Sequence, residues 1–384
     1  MSRCIGCGAK IQTVNPEQKG YVPEFAIIDR GEQVYCKRCY DIRHHNALYT
    51  PDYDTEQYYE KIKIIQDENA LVILMIDVMD IYGGFIPNLS DYIGNNKVLI
   101  LVNKVDILPK SIKLQKLELQ IKEIAKKHKL NVDSIMMISA KHAKDVEKVI
   151  SRISKLKYPP KKNSYHKYEK KVNTRFDNCY VVGCASVGKS TFMNMIGKIT
   201  LNYPDEVITT SNQYQTTQDF IKWPLDQKSY LIDTPGIVNP AHFGSYLNNQ
   251  SLQVLIPKKF IKTKTFQLNP DQTILMGGLV RLDFYGDNKT NISFFVSNDL
   301  YLHRTKTIQV EKLLSNNEFK LLVPPYTAEE KEKLLETKKY TFEINQPTDI
   351  FISGIGFIHV VSDGSIIDLT INKNILVVKK ESFM

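Results

Sequence analysis

NCYVVGCASVGKSTFMNMI, residues 178–196, is the stretch on which the fold turns. It reads as apolar strand, glycine-bearing loop and helix, the order a phosphate-binding loop requires. Gly183 and Gly188 let the backbone curl so that several amides face phosphate oxygens, with Ser186, Val187 and Thr191 lining the same nucleotide. Lys189 reaches the outer phosphates and Ser190 ligates magnesium. Four specified positions recur by chance in about one chain of this length in a hundred. The strand before and the helix after strengthen the reading further.

Working outward, SYLIDTPG (229–236) offers Asp233 for the magnesium shell and the Gly236 amide for the terminal phosphate. Between the two motifs, QTTQD (215–219) places Thr216 and Thr217 in a polar loop, and Thr217 is expected to complete the magnesium shell. Upstream, NKVD (103–106) follows the apolar run VLILV. Alone it is weak. Beside a phosphate loop it gains force, because the Asp106 carboxylate accepts two hydrogen bonds from the guanine N1 and N2 edge, which adenine does not offer. Asn103 and Lys104 would brace the loop and cover the base. Ser139, Ala140 and Lys141 form an SAK loop, whose Ala140 amide is expected to meet guanine O6.

All five elements are present, but in the order base loop, SAK loop, phosphate loop, threonine loop, DTPG. A circular permutation produces this order: the sheet is kept while the chain ends move, which is tolerated where the old termini lie close together. The expected fold is α/β, a circularly permuted P-loop GTPase domain with a doubly wound, mostly parallel sheet. A zinc-knuckle module precedes it and a β-rich α+β module follows. The expected boundaries are 1–50, 51–245 and 246–384, with a basic linker at 157–174.

The strands and helices of the central region follow from periodicity. ALVILMID (70–77), KVLILVN (97–103) and SIMMISA (134–140) are near-continuous apolar runs, as expected of strands buried on both faces. Residues 111–130 and 143–156 carry helical spacing. KYPPKKNSYHKYEKK, starting at Lys157, reads first as a solvated linker and second as a phosphate-backbone contact. Beyond residue 245, alternating apolar and polar residues between turn signals mark antiparallel strands, with one helix in LVPPYTAEEKEKLLETKK. There Lys258, Lys259, Lys262 and Lys264, interleaved with Phe260 and Phe266, form the candidate RNA surface, with a charged strand face as the simpler alternative.

Composition sets the outer limits. The 384 residues are 42% hydrophobic and 24% charged, which excludes a disordered chain and leaves room for about two to three domains. A net charge of +9 points to a polyanionic partner, nucleic acid first. No apolar run reaches the roughly 20 residues that cross a bilayer, and MSRCIGCG carries no apolar signal segment, so a soluble cytoplasmic protein without membrane partners is expected. Cys4 and Cys7 form one CxxC and Cys36 and Cys39 another, a spacing that matches a four-thiolate structural zinc site better than a disulfide framework. His44 and His45 read as surface residues or RNA contacts, and Cys179 and Cys184 as ordinary thiols.

This order of motifs, with CIGCGAKIQ, CKRC, IDVMDIYGGFIPNL and DIFISGIGFIHV, resembles the YqeH family of circularly permuted GTPases over most of the chain. The resemblance implies GTP and GDP as ligands, GTP hydrolysis, an N-terminal treble-clef zinc module and a C-terminal module implicated in RNA binding. It also implies the small (30S) ribosomal subunit and its rRNA as partners, and the chain is expected to be a monomer. Two departures stand out. Family members commonly carry Asn where this chain has Ser186, and in related enzymes that Asn helps hold a potassium ion, which puts potassium activation in doubt. Tyr214 and Gln215 replace the usual Pro and Gly before the paired threonines.

Catalysis is expected to be slow. Ile237 follows DTPG, and an aliphatic side chain does not orient water as the glutamine of Ras-like enzymes does. Hydrolysis would then rest on magnesium, Lys189 and backbone amides, with Gln218 the nearest substitute. Two other classes compete: a non-catalytic RNA-binding adaptor stabilised by GTP, and a P-loop enzyme acting on a small molecule, for which no further acid, base or nucleophile cluster is present.

Overall fold

A computed structural model describes residues 10–16, 18, 20–24, 36–37, 55–158, 176–201, 221–226, 229–316, 319–361 and 364–384. Two compact units emerge. One draws on the described residues of Met1–Met75, Pro87–Asn103 and His128–Ile237, the other on those of Ile76–Ile86, Lys104–Lys127 and Val238–Met384.

The first unit is organised by a six-stranded sheet. Its strands are β1 (Ala70–Asp77), β2 (Lys97–Asn103), β3 (Val132–Met137), β4 (Asn178–Val182), β5 (Ile221–Pro224) and β6 (Tyr230–Asp233), in the order β3-β2-β1-β4-β6-β5. The pairs β1/β4, β2/β3 and β4/β6 are parallel, and the edge strand β5 is joined antiparallel to β6. Burial explains the continuous apolar runs: Leu71 through Ile76 and Val98 through Val102 are each at most 1% exposed, as strands covered on both faces must be. The strand that feeds the phosphate loop, β4, is central, so the loops after β2, β3, β4 and β6 gather at the carboxyl ends of neighbouring strands, where open α/β sheets bind ligands.

Three boundaries differ from the sequence expectation. The third strand ends at Met137 rather than at 140, because the Ser139 amide donates to the Asp145 carboxylate (3.1 Å) and the Ala140 amide to Asn103 Oδ1 (2.8 Å) instead of joining the ladder. The first helix of the periodic region runs Leu114–Lys127, stopped by the left-handed backbone of Lys129 (φ 55°). The second runs Ala143–Lys157 and so claims Lys157, the residue expected to open the solvated linker. Lys157 is only 4% exposed. Its amine pairs with Asp226 (2.7 Å), meets the Ser229 hydroxyl, and lies 5.8 Å from the centre of the Phe176 ring. The remainder of the linker, 159–174, lies outside the described residues.

The second unit carries two five-stranded sheets. Its strands are β7 (Lys264–Leu268), β8 (Gln272–Met276), β9 (Val280–Tyr285), β10 (Thr290–Val296) and β11 (Leu302–Lys306), followed by β12 (Thr337–Ile344), β13 (Thr348–Ile352), β14 (Gly356–Val361), β15 (Ser365–Asn372) and β16 (Val377–Glu381). The sheets order as β16-β13-β14-β10-β7 and β11-β8-β9-β15-β12, antiparallel throughout. The expected helix forms over Ala328–Leu334, with Thr327 Oγ1 accepting from the Glu330 amide as its N-cap.

The chain that leaves DTPG is part of this second unit. Asn239 Nδ2 donates to the Gly83 carbonyl (2.7 Å), and the Leu376 amide to the Ala241 carbonyl (2.9 Å). Asp80 accepts from Ser353 Oγ (2.7 Å) and the Gly83 amide (3.0 Å), with His242 Nε2 at 3.7 Å. Burial raises the Asp80 carboxyl above its ordinary range, and His242 opposes that rise. Gly354 sits at φ 87°, where a Cβ would come within 2.9 Å of the Phe243 amide, so the β13–β14 turn tolerates only glycine. The IDVMDIYGGF stretch therefore anchors the chain that follows DTPG.

The Lys157–Asp226 pair yields a stability prediction. Asp226→Ala strands a buried ammonium and is expected to cost about 2–4 kcal/mol, whereas Lys157→Met, which replaces the charge with apolar volume, costs less. Urea unfolding of the two variants checks the order, and equal losses would refute it.

Candidate nucleotide site

The phosphate loop leaves β4 at Val182 and ends where the helix Lys189–Leu201 begins. Gly183 has no room for a side chain, since a Cβ there would lie 2.5 Å from the Met75 carbonyl oxygen. Gly188 is held at φ 98°, where a Cβ would stand 2.3 Å from Asn103 Nδ2. Ser186 takes a left-handed conformation (φ 63°) on the exposed crown of the loop, one that Asn tolerates better than Ser. Ser190 and Thr191 are exposed on the first turn of the helix. The helix N-terminus and the loop amides together favour an anion.

Lys189 is buried, at 8% exposure. Its Nζ donates to the carbonyls of Gly183 (2.9 Å) and Cys184 (3.2 Å), which holds the ammonium inside the loop's curl. Burial lowers the pKa of this amine, and Asp233 and Cys184 oppose the change. Asp233 is affected in the opposite sense: burial pushes its carboxyl up to about 6, with Lys189 pulling it back. Asp233 Oδ1 is buried without a hydrogen-bond partner among the described residues.

The DTPG segment is stitched to the phosphate loop by backbone bonds. The Thr234 amide donates to the Val181 carbonyl (3.1 Å), the Ile237 amide to Gly183 (3.3 Å), and the Ala185 amide to Ile237 (2.8 Å). These contacts extend the β4/β6 ladder past its last strand residues. Ile237 is 3% exposed, so its side chain packs in the interior while its main chain holds the loop. Gly236 faces Lys189: a Cβ added at this glycine would lie 3.1 Å from Nζ.

Asn103 joins three loops. Its Oδ1 accepts from the Ala140 amide and its Nδ2 donates to the Val187 carbonyl, each at 2.8 Å, and the residue is 2% exposed. The Ala140 amide expected to meet guanine O6 is thus already engaged by Asn103. Lys104 follows in a left-handed conformation (φ 69°), ion-paired to Asp77 at 2.5 Å. Asp106 is half-buried in the 3-10 turn Val105–Ile107. Ser139 is buried and Lys141 exposed.

Some expected ligands are not placed. Thr216, Thr217 and Gln218 lie outside the described residues, as do Cys4, Cys7 and Cys39. Cys36 is described and fully buried. Among the described residues, no group of three or more His, Cys, Asp or Glu is arranged to hold a metal ion. For magnesium, the orphaned oxygen of Asp233 and the exposed Ser190 hydroxyl are the hard oxygen donors the ion prefers. The sequence reading missed the pairing of Lys104 with Asp77 and of Ser139 with Asp145. An acidic residue at a strand end and one in a helix's first turn were the available signals, but acids are common at both places.

Comparison with known proteins agrees with this geometry. Residues 178–267 match the family described as 50S ribosome-binding GTPase, and residues 289–383 the family YqeH-like, C-terminal. The chain is 35% identical to the protein YqeH of Bacillus subtilis, over 93% of this chain and 92% of that protein. It is 25% identical to NO-associated protein 1, chloroplastic/mitochondrial, of Arabidopsis thaliana, over 94% of this chain and 70% of that one. It is also 30% identical to GTPase Der of Citrifermentans bemidjiense, over 49% of this chain and 39% of that one.

The carboxyl of Asp233 sets a pH dependence. Its folded value, about 6, lies above its ordinary value, so the folded protein holds that proton more tightly than the unfolded chain does. Its contribution to stability is fully present below about pH 4 and is lost as pH rises through about 6. Asp233→Asn is therefore expected to raise the nucleotide-free Tm at about pH 7.5 but not at about pH 4. Magnesium-dependent GTP affinity in the parent protein should fall about tenfold per pH unit below about 6, because the metal must displace the proton. Isothermal titration across roughly pH 5–8 checks it, and a flat profile would refute it.

Proposed function

Because the chain belongs to the YqeH family of GTPases, we propose that it is a slowly hydrolysing GTP switch that assists assembly of the small ribosomal subunit. The observation that carries the reading is the Asn103 junction, in which the first residue of NKVD is hydrogen-bonded to both the SAK loop and the phosphate loop. Asp106 would select guanine, and Lys189, Ser190, Thr191 and the loop residues Gly183–Gly188 would hold the phosphates. Magnesium would be held by Ser190, Asp233 and Thr217. Bound there, it would neutralise charge developing on the phosphates.

In this reading the residues of the chain supply position and charge rather than a base. Lys189 would place a buried cation at the outer phosphates, and Gly236 packs beside its ammonium. Ile237 offers no polar side chain to align water, which supports slow intrinsic turnover. The rRNA surface would lie on Lys258, Lys259, Lys262 and Phe260, all exposed, with Phe260 at 49%. Lys264 and Phe266 serve the fold instead. Lys264 Nζ donates to the carbonyls of Asn298 (3.2 Å) and Leu300 (2.8 Å), and Phe266 packs edge-on against Phe294.

Cys4, Cys7, Cys36 and Cys39 would close a zinc site, and a monomeric, cytoplasmic protein completes the proposal. Among the described residues, no helix is long and apolar enough to cross a membrane.

The deciding experiment measures GTP hydrolysis in potassium and in sodium, alone and with purified small or large ribosomal subunits. Stimulation by small subunits, with little difference between the two ions because Ser186 replaces Asn, is the expected result. Stimulation by large subunits alone would overturn the subunit assignment, and no turnover in any condition would overturn the switch. Separately, elemental analysis of the full chain should find about one zinc per molecule. Cys36→Ser should lose it, and metal-free wild type at full Tm would refute the zinc module.

A further inference from the structure

Tyr58 lies in the helix Thr55–Ile62 and is 1% exposed, among the largest fully buried side chains. Its hydroxyl makes no well-formed hydrogen bond among the described residues. The surroundings are specific: it neighbours Thr234, Cys184 and Asp233, the last two from the phosphate loop and the metal side of the site. Burial pushes the phenol strongly up, and the nearby Thr234 hydroxyl partly offsets this.

The hydrogen-bond inventory of that corner is unbalanced. Thr234 Oγ1 donates to the Val181 carbonyl (2.9 Å), which leaves its lone pairs to accept. Among the described residues, Asp233 Oδ1 is a buried acceptor with no hydrogen-bond partner, and Tyr58 Oη makes no well-formed bond although the Thr234 hydroxyl lies beside it. Buried polar groups are rarely left so, and phenylalanine would fill the same volume without the cost.

We propose that Tyr58 is a positioning residue for the Asp233–Thr234 turn, its hydroxyl engaging that turn when nucleotide and divalent cation bind. The inference rests on the nucleotide-site reading above and adds a control on it. The 55–62 helix is anchored independently of Tyr58. Tyr59 stacks on Tyr92 with ring centres 4.4 Å apart and planes at 17°, and its hydroxyl donates to the Pro87 carbonyl (2.8 Å).

The test uses the full chain as wild type, Tyr58→Phe and Tyr59→Phe. Magnesium is titrated against binding of a fluorescent GDP analogue, and Tm is read without nucleotide. Tyr58→Phe should raise the magnesium half-saturation about tenfold, the loss expected for one hydrogen bond to a charged group. Its magnesium-free GDP affinity should stay unchanged, and its Tm should stay equal or rise. Tyr59→Phe should leave the magnesium titration alone. A wild-type magnesium response in Tyr58→Phe overturns the inference, as does a variant that loses Tm and magnesium-free affinity together, since that is a packing role. If wild type shows no magnesium dependence, the nucleotide-site reading falls as well, which separates the two failures.

Discussion

The bifurcated role of one buried amide, that of Asn103, is the constraint on which the rest of the site depends. An amide side chain offers an acceptor and a donor on opposite sides, and here each is used once: Oδ1 on the Ala140 amide and Nδ2 on the Val187 carbonyl. Neither aspartate nor leucine, the nearest in shape, reproduces both bonds. Gly188 is the counterpart of this arrangement, because a Cβ at its φ of 98° would occupy the space of Asn103 Nδ2. Three loops that are distant in sequence are thereby given one geometry.

The same logic of backbone stitching governs the DTPG segment. A parallel ladder between β4 and β6 continues through Thr234 and Ile237, so the DTPG segment is an extension of the sheet. The chain then passes from the first unit to the second between Ile237 and Val238. Within the second unit the following residues are held by Asp80, Gly83 and Leu376. In a chain of the ordinary motif order this segment would return to the nucleotide sheet; the permuted order makes it the root of the β-rich unit.

Electrostatics at the phosphate loop is a balance between burial and pairing. Lys189 is buried and Asp233 half-buried with one carboxylate oxygen enclosed; desolvation pushes their pKa values toward each other, while their mutual attraction resists. Such a site favours ligands that bring the missing charges: phosphate for the ammonium, a divalent cation for the carboxylate. Nothing comparable is provided for water by the residue after DTPG, whose side chain is aliphatic and packed inward.

The sequence by itself determined the strands of the parallel sheet, the phosphate loop, the DTPG turn and the permuted motif order. These depend on local pattern: continuous apolar runs for doubly covered strands, and glycines where the backbone curls. The first two strands came out at their expected bounds for that reason. Tertiary structure alone decided what the polar atoms do. Lys157 has the composition of a linker residue, but a partner 69 positions away in the chain, Asp226, holds it inside. Ala140 gives its amide to Asn103, Lys264 braces a neighbouring loop, and Tyr58 lies buried beside Thr234. Hydrogen bonds and ion pairs are short-ranged and directional, so their partners are chosen by packing between elements far apart in sequence. Periodicity reports which face of an element is buried, but not what that face meets.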